Sequence, residues 1–196
     1  MVVLPKGNWR VQQGDLLRGR RLLPPVGALA ALVSSFAAGS RRMLNVFRTL
    51  LYLGPRFVFY YMFFFMIYLC SRLPARDKER IICRAAWRTG CRYEYVHHAR
   101  RAARCGISGE QVRAFCRETL PDDAADRVRA QAVDALAAGY QLPRAVLARL
   151  RGLYSDQEIV DLTLLIGHYM MVAAFSNSLV SLEADVDYEM EGAAVC

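Results

Sequence analysis

The chain has 196 residues, 55% of them hydrophobic, and a formal net charge of +8. That length supports one well-buried core and is short for two. Its six cysteines, scattered without a C-x-x-C pair, exclude a small disulfide-stapled secreted domain and suit a reducing cytoplasm. The positive charge is almost all arginine, with Lys6 and Lys78 the only lysines. Because those arginines are dispersed and no nucleic-acid-binding module accompanies them, no nucleic-acid partner is expected. A small anionic substrate suits the charge at least as well.

Residues 1–25 are polar, basic and punctuated by Gly7, Gly14, Gly19, Pro24 and Pro25, which predicts an extended arm. Every later segment reads as helix, so the expected fold is all-α, one domain over 26–183. Val26–Ala38 is closed by Gly39 and Arg42–Leu53 by Gly54, and Pro55 opens an aromatic helix at a position where a missing N–H costs little. That aromatic run, Phe57–Cys70, carries no charge. It is shorter than the roughly 20 residues a spanning helix needs, so it is expected to be a buried core or oligomer helix, with membrane contact the weaker reading.

Pro74 then leads into the helix that carries Glu79, Thr89 and Gly90 interrupt it, and Cys91 begins a helix that Gly106 ends. Ser108 with Gln111, and Ser155 with Glu158, have capping-box spacing. They mark a helix over 109–119 and a long final one. Between these, Asp122–Ala138 ends at Gly139, and Pro143 opens a short helix to Arg151. From Ile159 to Leu182 apolar positions nearly encircle the helix, which in so small a protein points to a subunit interface. After Glu183 the chain turns acidic, and 184–196 is expected to be a mobile tail.

The chemistry concentrates between Glu79 and His98. At 100° per residue, Cys91, Glu94 and His98 fall within about 60° on one helix face, and two antiparallel helices would bring Glu79 against it. A carboxylate, a thiol, a second carboxylate and an imidazole within mutual reach are the groups used for proton transfer or thiol chemistry. His98 would take and return a proton, Glu79 would orient it, and Glu94 would be a second acid–base group. Each has a plainer reading as well: a structural histidine, a salt bridge from Glu79 to Arg76, and an intrahelical pair of Glu94 with Arg101. Cys91, at a predicted helix N-terminus, would have its thiol pKa lowered by the dipole. His97 projects about 100° from His98 and is read as structural. Tyr95 is a candidate for a phenolic hydrogen bond to a ligand, or for packing.

The pattern Glu79, Cys91, Glu94, His98 within KERIICRAAWRTGCRYEYVHHARRAARCGIS resembles the carboxymuconolactone decarboxylase and alkylhydroperoxidase D superfamily. The upstream MLNVFRTLLYLGP and downstream SDQEIVDLTLLIGHYMMVAAFSNSL are similar to the family's flanking segments, so the resemblance runs from about Leu44 to Glu183. It implies the family's helical fold and a homo-oligomer, often a trimer or an assembly of trimers, and it makes Val26–Ala38 a first helix rather than an export signal after Arg20 and Arg21. Where the peroxidase branch has two cysteines, this chain has Cys91 and then Glu94. That substitution implies the decarboxylase-like branch. The resemblance also makes His168 and Tyr169 candidates to face the pocket or a neighbouring subunit, against a packing role.

The expected function is therefore cofactor-free acid–base chemistry, a decarboxylation or proton transfer, on a small, ring-containing, anionic organic substrate. No metal or cofactor is expected, since no H-E-x-x-H unit, P-loop or nucleophile elbow is present. A thiol-dependent peroxidase or disulfide reductase acting through Cys91 is the first alternative. The second is a non-catalytic helical oligomer that binds a ligand or touches a membrane.

Overall fold

In the computed structural model, Pro5, Lys6 and residues 44–180 are described. The predicted helix over 26–38, the acidic tail, and all of the N-terminal arm but Pro5 and Lys6 lie outside them. Among the described residues every regular element is helical. In chain order these are α1 (Asn45–Leu50), a 3₁₀ turn (Leu51–Arg56), α2 (Phe57–Phe64), a π-turn (Phe65–Leu69), α3 (Ala75–Arg88), α4 (Arg92–Arg104), α5 (Gly109–Phe115), α6 (Ala124–Gly139), α7 (Arg144–Leu150) and α8 (Asp156–Leu179).

The punctuation seen in the sequence does its work locally. Gly54 takes a positive φ of 60° and breaks the first helix into α1 and the turn before α2. Pro74 caps α3, where its lost N–H has no helical partner to miss. Both capping boxes form, Ser108 with Gln111 and Ser155 with Glu158. Where α6 was expected to close on Gly139, the helix includes Gly139, and Tyr140 supplies the left-handed residue with φ 56°.

Helices α3 and α4 form an antiparallel hairpin that is the centre of the molecule, with α8 packed along α3 and α6 on its other side. The join is tight: Gly90 has φ 65°, and the Cys91 N–H returns to the Ala86 carbonyl at 2.8 Å. One core cluster, with Phe57, Trp87, Tyr95, Ile107 and Phe115, lies on the α1 and α5 side. The other, with Ile81, Ile82, Val133, Leu162, Leu165 and Ile166, joins α3, α6 and α8. The Trp87 indole donates to the Lys6 carbonyl at 2.8 Å, tying that point of the N-terminal arm to α3.

Two apolar helices leave one side open in the single chain. Counted across its kink at Gly54, the segment Asn45–Leu69 spans 25 residues and, like α8, is long and apolar enough to cross a membrane. It is not a core helix, because only 22% of its most apolar window is buried. Phe59, Met62 and Met66 stand in the open. Helix α8 is buried on one side only, with Val160, Leu164 and Met171 exposed on the other.

Buried charge is confined to paired networks. Arg84, fully buried, forms a two-pronged pair with Asp134 at 2.8 and 2.7 Å and donates to the Phe115 carbonyl. Arg88 binds the same carboxylate. Burial opposes the charge on Asp134, but the two guanidiniums outweigh it and hold that carboxyl below its usual range. Removing the carboxylate strands a buried guanidinium, which is costly. Asp134→Ala is expected to destabilise the fold by about 3 kcal/mol, read as a lower denaturant midpoint at unchanged slope. A midpoint within error of wild type would show the network to be dispensable.

Candidate functional site

The α3–α4 hairpin brings Glu79 and His98 together as predicted. The His98 Nδ1 lies 2.7 Å from Glu79 Oε2, and the Tyr68 hydroxyl donates to Glu79 Oε1. On the other edge of the imidazole, Nε2 is 3.5 Å from Glu94 Oε2, one helical turn back. Arg101 completes the group, with Nε 3.6 Å from Glu79 Oε1 and its guanidinium over the Tyr68 ring. Glu79, Glu94 and His98 are all buried.

This arrangement sets the charges. Burial disfavours the carboxylate of Glu79, but His98, Tyr68 and Arg101 outweigh it and lower its pKa. Burial likewise disfavours the imidazolium of His98, yet Glu79 and Glu94 raise its pKa above the usual histidine value. The pair therefore rests as carboxylate and imidazolium near neutral pH, with one proton edge fixed on Glu79 and the other turned to Glu94.

Glu94 and His98 open onto a cavity of roughly 600 Å³, including its mouth. Leu44, Val46, Phe47 and Leu50 from α1, Tyr60 and Phe64 from α2, and Val172 from α8 give it an apolar wall. Only Tyr60 and Phe64 of the aromatic run reach it. His168 and Tyr169 also line it, the Tyr169 ring nearly perpendicular to both imidazoles, with its centroid 4.8 Å from that of His98 and 5.3 Å from that of His168. Burial holds His168 down to about pKa 4, a neutral ring at physiological pH.

Three predicted site residues fall outside the cavity wall: Glu79, which stands behind His98, and Cys91 and Tyr95. Cys91 is the N-cap of α4, with extended backbone, so the helical angle that grouped it with Glu94 and His98 does not apply to it. It is completely buried, and burial first, then Glu94, push its thiol well up rather than down. The expected dipole-lowered thiolate is thus overturned, because desolvation exceeds what a helix terminus contributes. Tyr95 points about 100° from Glu94 into the core, near Cys83 and Cys116, and does not line the cavity.

Sequence reasoning also missed residues that the cavity contains. With Cys91 set aside as the cap, Glu94, His97, His98 and Arg101 share a face about 100° wide. His97 and Arg101 do line the cavity. Glu79 pairs with Arg101 and not with Arg76, which reaches the Gly106 carbonyl. The Tyr68 contact carried no local signal, since it depends on the packing of the π-turn.

This geometry meets the comparisons with known proteins. Residues 59–138 match the Carboxymuconolactone decarboxylase family. The matched stretch runs from α2 to the end of α6 and contains Glu79, Cys91, Glu94 and His98. A search of curated proteins finds no match. Among solved structures, an uncharacterised peroxidase-related protein from Silicibacter sp. TM1040 is similar in fold, with a TM-score of 0.70 over 91% of this chain and 95% of that one, at 18% identity. The carboxymuconolactone decarboxylase match and the all-helical structure agree with each other.

The charge assignment is directly measurable. Replacing Glu79 with glutamine removes the carboxylate that does most to offset the burial of His98, so the His98 pKa is expected to fall in a histidine NMR titration. An unchanged His98 titration in Glu79→Gln would show that the pair does not set the imidazole charge.

Proposed function

We propose that this protein is a carboxymuconolactone decarboxylase-like enzyme performing cofactor-free acid–base chemistry on a small, ring-containing organic acid. One observation carries the reading: an imidazole gripped on both edges by carboxylates, at the wall of an apolar cavity. In this reading the Glu94 carboxylate takes a proton from a carbon beside a carbonyl, and the His98 imidazolium returns one elsewhere on the conjugated system. Glu79 and Tyr68 are positioning residues that keep His98 charged and oriented. Arg101 attracts a substrate carboxylate, and loss of that carboxylate as carbon dioxide follows where its electrons can flow into the same system. Isomerisation is the outcome where they cannot.

The peroxidase-related neighbour favours a second reading, thiol-dependent peroxide reduction. Here the cysteine of the motif is sealed from the cavity and held neutral, and Glu94 stands where a resolving thiol would be. A neutral buried thiol is a poor nucleophile. The two readings separate in a turnover assay on carboxylated lactones and organic hydroperoxides. Conversion of a lactone is expected to fall by about 10²–10⁴ in His98→Ala and to survive in Cys91→Ser. Hydroperoxide consumption abolished by Cys91→Ser would instead establish the redox enzyme.

The partner proposed for the exposed apolar faces is a second copy of this chain, within a trimer or hexamer. On α8 the exposed positions are Val160, Leu164, Gly167, Met171, Ala174 and Ser178, spaced four and three residues apart as in a helix–helix seam. Space is open where a side chain on Gly167 would project. Phe59, 74% exposed, and Met66, 63% exposed, belong to the second face. Phe63 joins the two faces by packing on His168. A half-open large apolar side chain presents on the order of 100 Å², so the two faces together approach the ~800 Å² per partner of a stable interface. Light scattering is expected to give an oligomer for wild type and a folded monomer for the double variant Met66→Glu, Leu164→Glu. A monomeric wild type that binds lipid vesicles would assign these faces to a membrane instead.

A further inference from the structure

His168 is a polar cavity residue that the acid–base scheme leaves without a task. It is 4% exposed, and the rings of Tyr60, Phe63, Phe64 and Tyr169 pack around it at centroid distances of 5.3–6.0 Å. Its Nδ1 is sealed in protein with no hydrogen-bond partner, while the ring lines the cavity. The Nε2 edge is therefore the one that can meet a ligand. Either neutral tautomer leaves Nδ1 unpartnered, as donor or as acceptor, so what Nε2 faces decides between them. The groups that face His168 electrostatically are the Glu94 carboxylate and the His98 imidazolium. A negative carboxylate across the cavity favours placing the single proton on the cavity side, at Nε2.

The placement relative to His98 gives this proton a use. Both imidazoles stand nearly perpendicular to the Tyr169 ring, at 86° and 88°, with centroids 4.8 and 5.3 Å from its own. The charged acid–base pair and the neutral ring therefore lie within about 10 Å of each other on one cavity, a span that a single planar ring can bridge.

We propose that His168 is a neutral hydrogen-bond donor to substrate, its Nε2–H holding the carbonyl oxygen of a ring compound whose adjacent carbon lies at Glu94 and His98. This rests on the acid–base reading above and assigns it an oxygen-binding group. As the C–H bond breaks, its proton passes to Glu94, its electron pair forms a C=C bond, and the carbonyl π pair moves onto the oxygen. The Nε2–H stabilises that oxygen without transferring its proton. The oxygen's electrons then flow back as His98 delivers a proton to the far carbon. A neutral donor suits this task, because its own proton is held too tightly to be lost to the enolate.

The test uses the intact protein and 4-nitrophenol, a planar ring with one ionisable oxygen. Nitrogen-15 NMR of the histidine side chains should show His168 neutral, with its proton on Nε2, between about pH 5 and 8. Adding 4-nitrophenol should shift that Nε2–H signal. His168→Phe, which fits the aromatic surround, should weaken binding about tenfold or more. His168→Gln, another neutral donor, should retain it within about threefold. A proton on Nδ1, a charged His168 at pH 6, absence of 4-nitrophenol binding to wild type, or unchanged binding in His168→Phe would each overturn the proposal. None of these depends on turnover. Failure of the acid–base reading appears separately, as full lactone conversion in His98→Ala.

Discussion

The buried contact between Glu79 and His98 is the constraint around which this molecule is arranged. An imidazole and a carboxylate can be taken out of water at acceptable cost only when each satisfies the other. Here the pairing is enforced by a three-residue interruption, Thr89 to Cys91, between α3 and α4 that folds the second helix back along the first. Tyr68 and Arg101 occupy the remaining acceptor positions of Glu79, so the charge on His98 is set by packing before any ligand arrives. The polar end of the cavity follows from this pair, and the apolar end from what α1, α2 and α8 lay over it.

The site has two chemically different sides, and the difference comes from environment and not from residue type. His98 and His168 are both buried histidines on the same cavity. Two carboxylates raise the first, whereas an aromatic surround lowers the second to about 4. The same side chain thereby serves as a cation in one place and as a neutral ring in the other. Cys91 follows the same logic. Its position at a helix start suggests a thiolate, but complete burial beside Glu94 keeps the thiol protonated.

What the sequence made legible was local. Helix limits followed from Gly54, Pro74, Gly90, Gly106 and the two capping boxes, because each acts through its own backbone geometry. The contact of Glu79 with His98 was legible because a short turn between two helices leaves few alternatives. The rest depended on information that spacing lacks. The helical angle assigned to Cys91 failed because that residue is the cap and lies outside the helix it opens. Taking Cys91 as the reference direction of the face also hid His97 and Arg101 and misdirected Tyr95. Which sides of α2 and α8 the single chain leaves open was not legible for a different reason, since a uniformly apolar helix has no periodicity to show which side the core takes.

The central claim is that Glu94 and His98 move protons on carbon. It is tested most directly by incubating wild type and His98→Ala with a panel of ring carbonyl acids in deuterium oxide and following deuterium incorporation by mass spectrometry. Wash-in is predicted at a carbon beside the carbonyl, whether or not net conversion follows, reduced by about 10² or more in His98→Ala. Exchange that is absent from the whole panel, or equal in the two proteins, would contradict it.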